Sequence, residues 1–268
     1  MPRTAAKQVA EAMRAQAQRE CATLLRELGG PGDFHGAVHE ARKAVRRLRA
    51  LLALVEDELA GAQVADRALA RVGKSLSALR DAQVLVATAQ AMAARDGAKG
   101  WSPVIARLTL RRDALVAKVL ASDPGLRRRG AAVERIARRL DALPWAELKP
   151  AHIRHGLRRS LRRVAKAEKK AKADPTVERL HRWRRRVRRL RMQLEAVADV
   201  APGLAKQAGP LPGGETLKTL HALGDRLGAQ QDERLLRNVL RRMRDLPGRA
   251  QLADALCRGA TPERPRRR

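Results

Sequence analysis

Tyrosine is missing from this 268-residue chain, and the other aromatics are reduced to Phe34, Trp101, Trp145 and Trp183. Sheets draw on aromatic and β-branched side chains to fill their pleated faces, so this scarcity argues against a β-rich fold. It also removes the stacking platforms that single-strand nucleic-acid binders use. Cysteine occurs twice, at Cys21 and Cys257, with no metal-type spacing. Cys21 lies among alanines and leucines and reads as a reduced thiol serving as a small hydrophobe. No apolar run reaches the roughly 18 residues of a membrane span. The first residues, MPRTAAKQVAEAMRAQAQREC, scatter charges where a secretory signal would need an uninterrupted apolar segment. A cytoplasmic protein without a membrane partner is expected. Acidic residues are the last shortage: 28 Asp and Glu stand against 58 Lys and Arg, a formal net charge of +30. Such an imbalance opposes compaction by self-repulsion. Its simplest offset is a polyanion: nucleic acid, an anionic surface or a mineral polyanion.

What remains to build a core is Leu, Val, Ala and Met, a palette suited to helix-on-helix packing. Apolar spacing predicts helices throughout and no alternating strand. Expected helices cover about 3–28, 34–59, 62–95 and 102–121, followed by a break at Ser122-Asp123-Pro124-Gly125 and a helical stretch to about Leu143. After Pro144 they cover about 150–173, 175–200 and 215–246, with a short piece to about Cys257. Asp33, Ser102-Pro103 and Asp174-Pro175 are the expected caps and first-turn prolines. The Gly/Pro-rich 201–214 segment reads as a loop and TPERPRRR at the end as a disordered basic tail.

The chain repeats itself. VHEARKAVRRLRALL (38–52) and LHRWRRRVRRLRMQL (180–194) agree at eight of fifteen positions, 142 residues apart. These are His39/His181, Arg42/Arg184, Val45/Val187, Arg46/Arg188, Arg47/Arg189, Leu48/Leu190, Arg49/Arg191 and Leu52/Leu194. At an offset of 151, residues 69–92 align with 220–243 through Gly73/Gly224, Leu76/Leu227, Ala78/Ala229 and Asp81/Asp232. Duplication of a unit of about four helices is expected, with halves 1–143 and 144–258 and a tail at 259–268.

With about 100° per residue, His39, Arg42, Lys43 and Arg46 share one side of their helix, flanked by Arg47 and Arg49. Ala41, Val45, Leu48, Leu52 and Val55 take the opposite side. The second copy sets His181, Arg184, Arg185 and Arg188 against Trp183, Val187, Leu190 and Leu194, with Arg186 left to snorkel. A solvated stripe is the ordinary outcome for a charged helix face. Here acids are missing where i,i+4 pairing would place them, so the cations repel unless an anion neutralises them. Arginine's planar fork bonds phosphate oxygens bidentately, which suits a string of phosphates. A further basic stripe, Arg154, Arg158, Arg162 and Lys166, recurs on 150–173; Arg67, Arg71 and Lys74 form a shorter one.

Histidine pairs His35/His39 and His152/His155 could share helix faces, but no carboxylate or cysteine completes a ligand set. Neither metal nor cofactor is expected. His39 and His181 read as hydrogen-bond donors in a cationic site. Asp81 and Asp232 read as partners of nearby arginines, since no second acid or nucleophile accompanies them, and no P-loop or other catalytic motif is present.

The residues His-x-x-Arg-x-x-x-Arg-Arg-Leu-Arg at His39–Arg49 and again at His181–Arg191 resemble the CHAD domain, the conserved-histidine α-helical domain. Leu-x-x-Leu-Arg-Asp at Leu76–Asp81, with its counterpart ending in Asp232, supports the likeness over about residues 3–258. The resemblance implies an all-α fold of two antiparallel four-helix bundles related by internal pseudo-twofold symmetry. It also implies a basic channel that binds inorganic polyphosphate without catalysis, in a bacterial cytosol and on polyphosphate granules. That role carries to His39, Arg42, Lys43, Arg46, Arg49, His181, Arg184, Arg185, Arg188 and Arg191. Arg158, Arg162 and Lys166 join them on the wheel argument alone. Gln230-Gln231 stands before Asp232 where the first half has Leu79-Arg80, which predicts an asymmetric site. The Glu-x-Glu-x-Lys signature of the triphosphate-processing domain fused to many family members is missing. The competing expectation is a nucleic-acid-binding, nucleoid-associated protein that contacts the phosphate backbone, although no helix-turn-helix, zinc-finger or RNA-binding sheet pattern occurs.

Overall fold

Nine α-helices carry the described part of a computed structural model: α1 (Arg3–Gly29), α2 (Phe34–Val55), α3 (Ala62–Ser75), α4 (Ser77–Asp96), α5 (Trp101–Ser122), α6 (Arg127–Asp141), α7 (Pro150–Ala173), α8 (Val177–Val200) and α9 (Leu217–Arg242). Residues 3–30, 32–97, 100–201, 203–204, 217–243, 252–254 and 256 are described. Among them there is no strand, and short 3-10 turns at Pro124–Leu126 and Trp145–Glu147 join the helices around α6. The fold is all-α. Most of the segment expected as a loop over 201–214, and all of the tail expected over 259–268, lie outside the described residues.

Helix α2 is the hub, because α1, α3, α7 and α8 all pack on it. Its side chains Val38, Ala41, Val45, Leu48, Leu52 and Val55 recur every three or four residues and are all buried. α1 meets them with Met13, Ala17, Cys21, Leu24 and Leu28, and α8 with Val187, Leu190, Leu194 and Val197. Gly156 lets α7 approach α2 closely: a Cβ there would collide with the Leu54 carbonyl oxygen. A second, separate apolar cluster joins Val86, Ala89 and Met92 of α4, Trp101, Val104 and Leu108 of α5, and Leu236 and Leu240 of α9. Elements from both halves of the sequence thus share this second core, and α7 and α8 share the first with α1, α2, α3 and α6. The Cys21 thiol is buried in the first core, and burial pushes it up to about 12. Cys257 lies outside the described residues.

Several expected boundaries move. The helix expected over 62–95 is two: it breaks at Leu76, where the Gly73 carbonyl turns to the Arg42 guanidinium (2.5 Å) and the Ser77 hydroxyl (3.1 Å). α2 stops at Val55 rather than 59, its carbonyl accepting from the amides of both Glu58 and Leu59 before a left-handed Gly61 (φ 89) admits α3. α5 starts at Trp101 after a left-handed Gly100, so Ser102 and Pro103 lie inside its first turn. α8 is capped by the Thr176 hydroxyl, which accepts from the Arg179 amide, two residues beyond the cap expected at Asp174. Asp33 does cap α2, accepting from the His35 amide at 3.0 Å, and Pro150 does open α7.

Candidate anion site

The two copies of the arginine motif sit on α2 and α8, which pack against one another, and the buried Gln193 amide of α8 donates to the Ala50 carbonyl of α2 at 3.0 Å. With Val45, Leu48, Val187 and Leu190 turned into the core, Arg46 and Arg188 face the same group of arginines: Arg80 acts on both, and Arg188 acts on Arg46. Among the described residues no hydrogen bond or ion pair engages either guanidinium, and Nε of Arg46 is buried without a partner. Burial, followed by Arg188, Arg42, Arg80 and Arg47, pushes Arg46 down to about 9. Burial, followed by Arg184, Arg80 and Arg191, pushes Arg188 down to about 10 against a weaker opposing pull from Asp232. Both stay protonated at neutral pH, held as cations in surroundings that disfavour them.

Around this pair the other motif residues take protein partners. Arg42 donates from Nη1 to the Gly73 carbonyl and to the Ser77 hydroxyl at 2.8 Å. Its repeat counterpart Arg184 donates instead to Oε1 of Gln231, over Gly228, where a Cβ would come within 3.1 Å of the guanidinium. The same Gln231 oxygen lies 2.9 Å from Nδ1 of His181, which must therefore donate. Arg49 forms a two-pronged bond to Asp66 (2.8 and 3.0 Å). Its counterpart Arg191 donates to Nδ1 of His221 at 2.9 Å, and Nε2 of His221 reaches Glu195 at 2.8 Å. Lys43 bonds Glu40 at 2.9 Å. His39 is exposed; burial of its ring edge, Arg46, Lys43 and Arg80 lower its pKa from 6.5 against an opposing pull from Glu40. Arg185 is exposed on α8, and Arg158, Arg162 and Lys166 are exposed on α7; none is among the charges acting most strongly on Arg46 or Arg188.

One residue without an assigned role in the sequence reading belongs to the cluster. Arg80 of α4 acts on Arg46, Arg188, Arg42 and Arg184. It bonds Asp81 at 3.1 Å and reaches Asp232 of α9 at 3.4 and 3.5 Å. Its counterpart at the 151-residue offset is Gln231, so the Leu-Arg-Asp against Gln-Gln-Asp departure marks an asymmetric centre. Arg189 of α8 is largely buried near Arg49 and lowered by burial and that neighbour, with Asp66 opposing.

The histidines have other occupations. His152 accepts from the Lys149 amide at 3.2 Å and lies 3.5 Å from Glu58, while His35 packs edge-on against Phe34. Among the described residues no three His, Cys, Asp or Glu side chains gather as metal ligands, and no helix is long and apolar enough to cross a membrane. The arrangement offers a cluster of guanidinium groups with unused donors, a receptor for an oxyanion with several negative charges.

The family model of the CHAD domain matches residues 8–241. Among solved structures, the chain resembles the crystal structure of the CHAD domain from the plant Ricinus communis, with a TM-score of 0.66 at 20% sequence identity, covering 94% of this chain and 85% of that one. At that identity the likeness concerns the fold. No curated protein matches the sequence. The match of the family model over most of the chain, on a fold that places both motif helices side by side, makes this protein a member of the CHAD domain family.

Proposed function

We propose that this protein binds inorganic polyphosphate without catalysing a reaction on it, as a cytoplasmic protein targeted to polyphosphate granules. The observation that carries the reading is Arg46 and Arg188: two half-buried guanidinium groups among other arginines, with no acceptor of their own among the described residues. Protein interiors do not keep such neighbours unpaired without reason, because each lowers the stability of the other. A chain of phosphates supplies closely spaced oxyanions and no bases. It therefore matches a site with many guanidinium groups and almost no aromatic surface. Around it, the net charge of +30 draws any polyanion inward from a distance. Asp81 and Asp232 are engaged by Arg80, and among the described residues no three potential metal ligands gather there, so binding rather than turnover is the activity proposed.

The test is a competition across a salt series, with long-chain polyphosphate and duplex DNA at equal phosphate concentration. Polyphosphate should win at every ionic strength, and its affinity should fall steeply as salt rises. A preference for DNA would replace this reading with nucleic-acid backbone binding. Release of orthophosphate during incubation would replace it with an enzyme.

A further inference from the structure

We propose that Asp232 is a built-in counter-anion of the arginine cluster: it holds Arg80 across the site and yields it to a polyphosphate chain, so that the site discriminates by the number of linked phosphates. This rests on the reading of the cluster as a polyphosphate site.

The geometry separates fixed ion pairs from an exchangeable one. Arg49 grips Asp66 at 2.8 and 3.0 Å through two parallel bonds, and Arg129 holds the buried Asp123 at 2.5 Å. Those lengths lie in or near the range of charge-assisted bonds, about 2.7–2.9 Å. Arg80 reaches Asp232 at 3.4 and 3.5 Å, a stretched contact that leaves most of the bond strength unused. The position of Asp232 is nevertheless central. It is the carboxylate that pulls against the mutual repulsion of both Arg184 and Arg188. Arg80 also crosses between the repeats, whereas its counterpart Gln231 is neutral and stays with His181 and Arg184.

The consequence is a threshold. A single free anion that displaces Asp232 exchanges one negative charge at Arg80 for another, against a carboxylate tethered to the site at high effective concentration. A phosphate chain that displaces it takes Arg80 and reaches Arg46 and Arg188 in the same event, and those two have no partner to lose. Discrimination therefore comes from linked charges rather than from a pocket of fixed shape.

The experiment measures affinity of the full chain for orthophosphate, tripolyphosphate and long-chain polyphosphate in the wild type, Asp232→Asn, Arg80→Gln and the double variant. Asp232→Asn should bind tripolyphosphate roughly two- to fivefold more tightly, with a smaller relative gain for the long chain, so that the preference for long chains narrows. In the Arg80→Gln background the same substitution should produce a clearly smaller gain, the remainder coming from the direct pull of Asp232 on Arg184 and Arg188. Asp232→Glu should restore the wild-type preference. An unchanged ratio in Asp232→Asn, or an equal gain with and without Arg80, would overturn the counter-anion role while leaving polyphosphate binding in place. Wild-type protein that binds no phosphate chain would overturn the functional reading itself. Should Asp232→Asn fail to fold, Arg80→Gln alone decides: the proposal requires it to lose long-chain affinity without losing helical content, and retained affinity would refute it.

Discussion

Replacing Arg46 by methionine should stabilise the protein in the absence of polyanion and weaken polyphosphate binding at the same time. The reasoning starts from the surroundings of the guanidinium. It is largely buried, Nε has no partner, and four arginines act on it with no carboxylate opposing. Its fall from the ordinary arginine range to about 9 corresponds to roughly 2–4 kcal/mol of unfavourable environment once screening at the open side is allowed for. Methionine keeps the length of the stem and removes the charge. Some stem packing is lost, so a net gain of about 1–2 kcal/mol is expected, or roughly 3–6 °C in Tm. The pH dependence has a definite sign. An unfolded chain keeps these protons up to the ordinary arginine range, whereas the folded protein gives them up near 9 and 10. The destabilising contribution is thus full below about 9 and relieved as pH rises beyond it, so the wild type gains stability there. The Met variant should show less of that rise. Thermal unfolding followed by circular dichroism in low-phosphate buffer, beside titration with polyphosphate, measures both effects. A lower Tm for Arg46→Met would refute the argument, because it would mean that the folded state itself neutralises the charge.

Two further outcomes follow from single positions. His39 is held below 6.5 by burial and by Arg46, Lys43 and Arg80, with Glu40 opposing, whereas a bound polyanion would raise it. Binding then takes up a proton, and affinity should climb as pH falls from about 7.5 to about 5.5; His39→Gln should flatten that slope, and an unchanged slope would place the proton elsewhere. Gly156→Ala puts a methyl group against the Leu54 carbonyl and must push α7 from α2, so it should cost roughly 2–3 kcal/mol in chemical denaturation; a neutral substitution would mean that the two helices slide apart freely.

Helix order and type were legible because a chain of Leu, Val and Ala at three- and four-residue spacing admits no other packing. Cap residues were legible where the side chain acts locally, as at Asp33. The break at Leu76 was not, because its cause lies 31 residues away in sequence: the Arg42 guanidinium draws the Gly73 carbonyl out of the helix ladder. The repeat alignment hid this further by making α3 and α4 the counterpart of the continuous α9. Ser77, which helps bind that carbonyl, stands where the second half has Gly228, and so the two aligned segments bend differently.

The site shows the same division between what one helix can tell and what its neighbours add. A helical wheel placed Arg42 and Arg46 on one face with Arg49 at its flank, and could not tell which of the three lacks a partner, since all have the same side chain. That distinction comes from other elements. α3 brings Asp66 to Arg49 and the Gly73 carbonyl to Arg42, but nothing to Arg46. α9 brings Gln231 to Arg184 and His221 to Arg191, but only the distant Asp232 to Arg188. Among the described residues the equivalent middle arginine of each copy is thus left without an acceptor on both helices, although the partners of Arg42 and Arg49 differ completely from those of Arg184 and Arg191. Duplication alone would have repeated the partners as well. That the partners diverged while the unpaired centre did not argues that the centre is what the two helices are arranged to present, and the outer arginines are the struts that hold it in place.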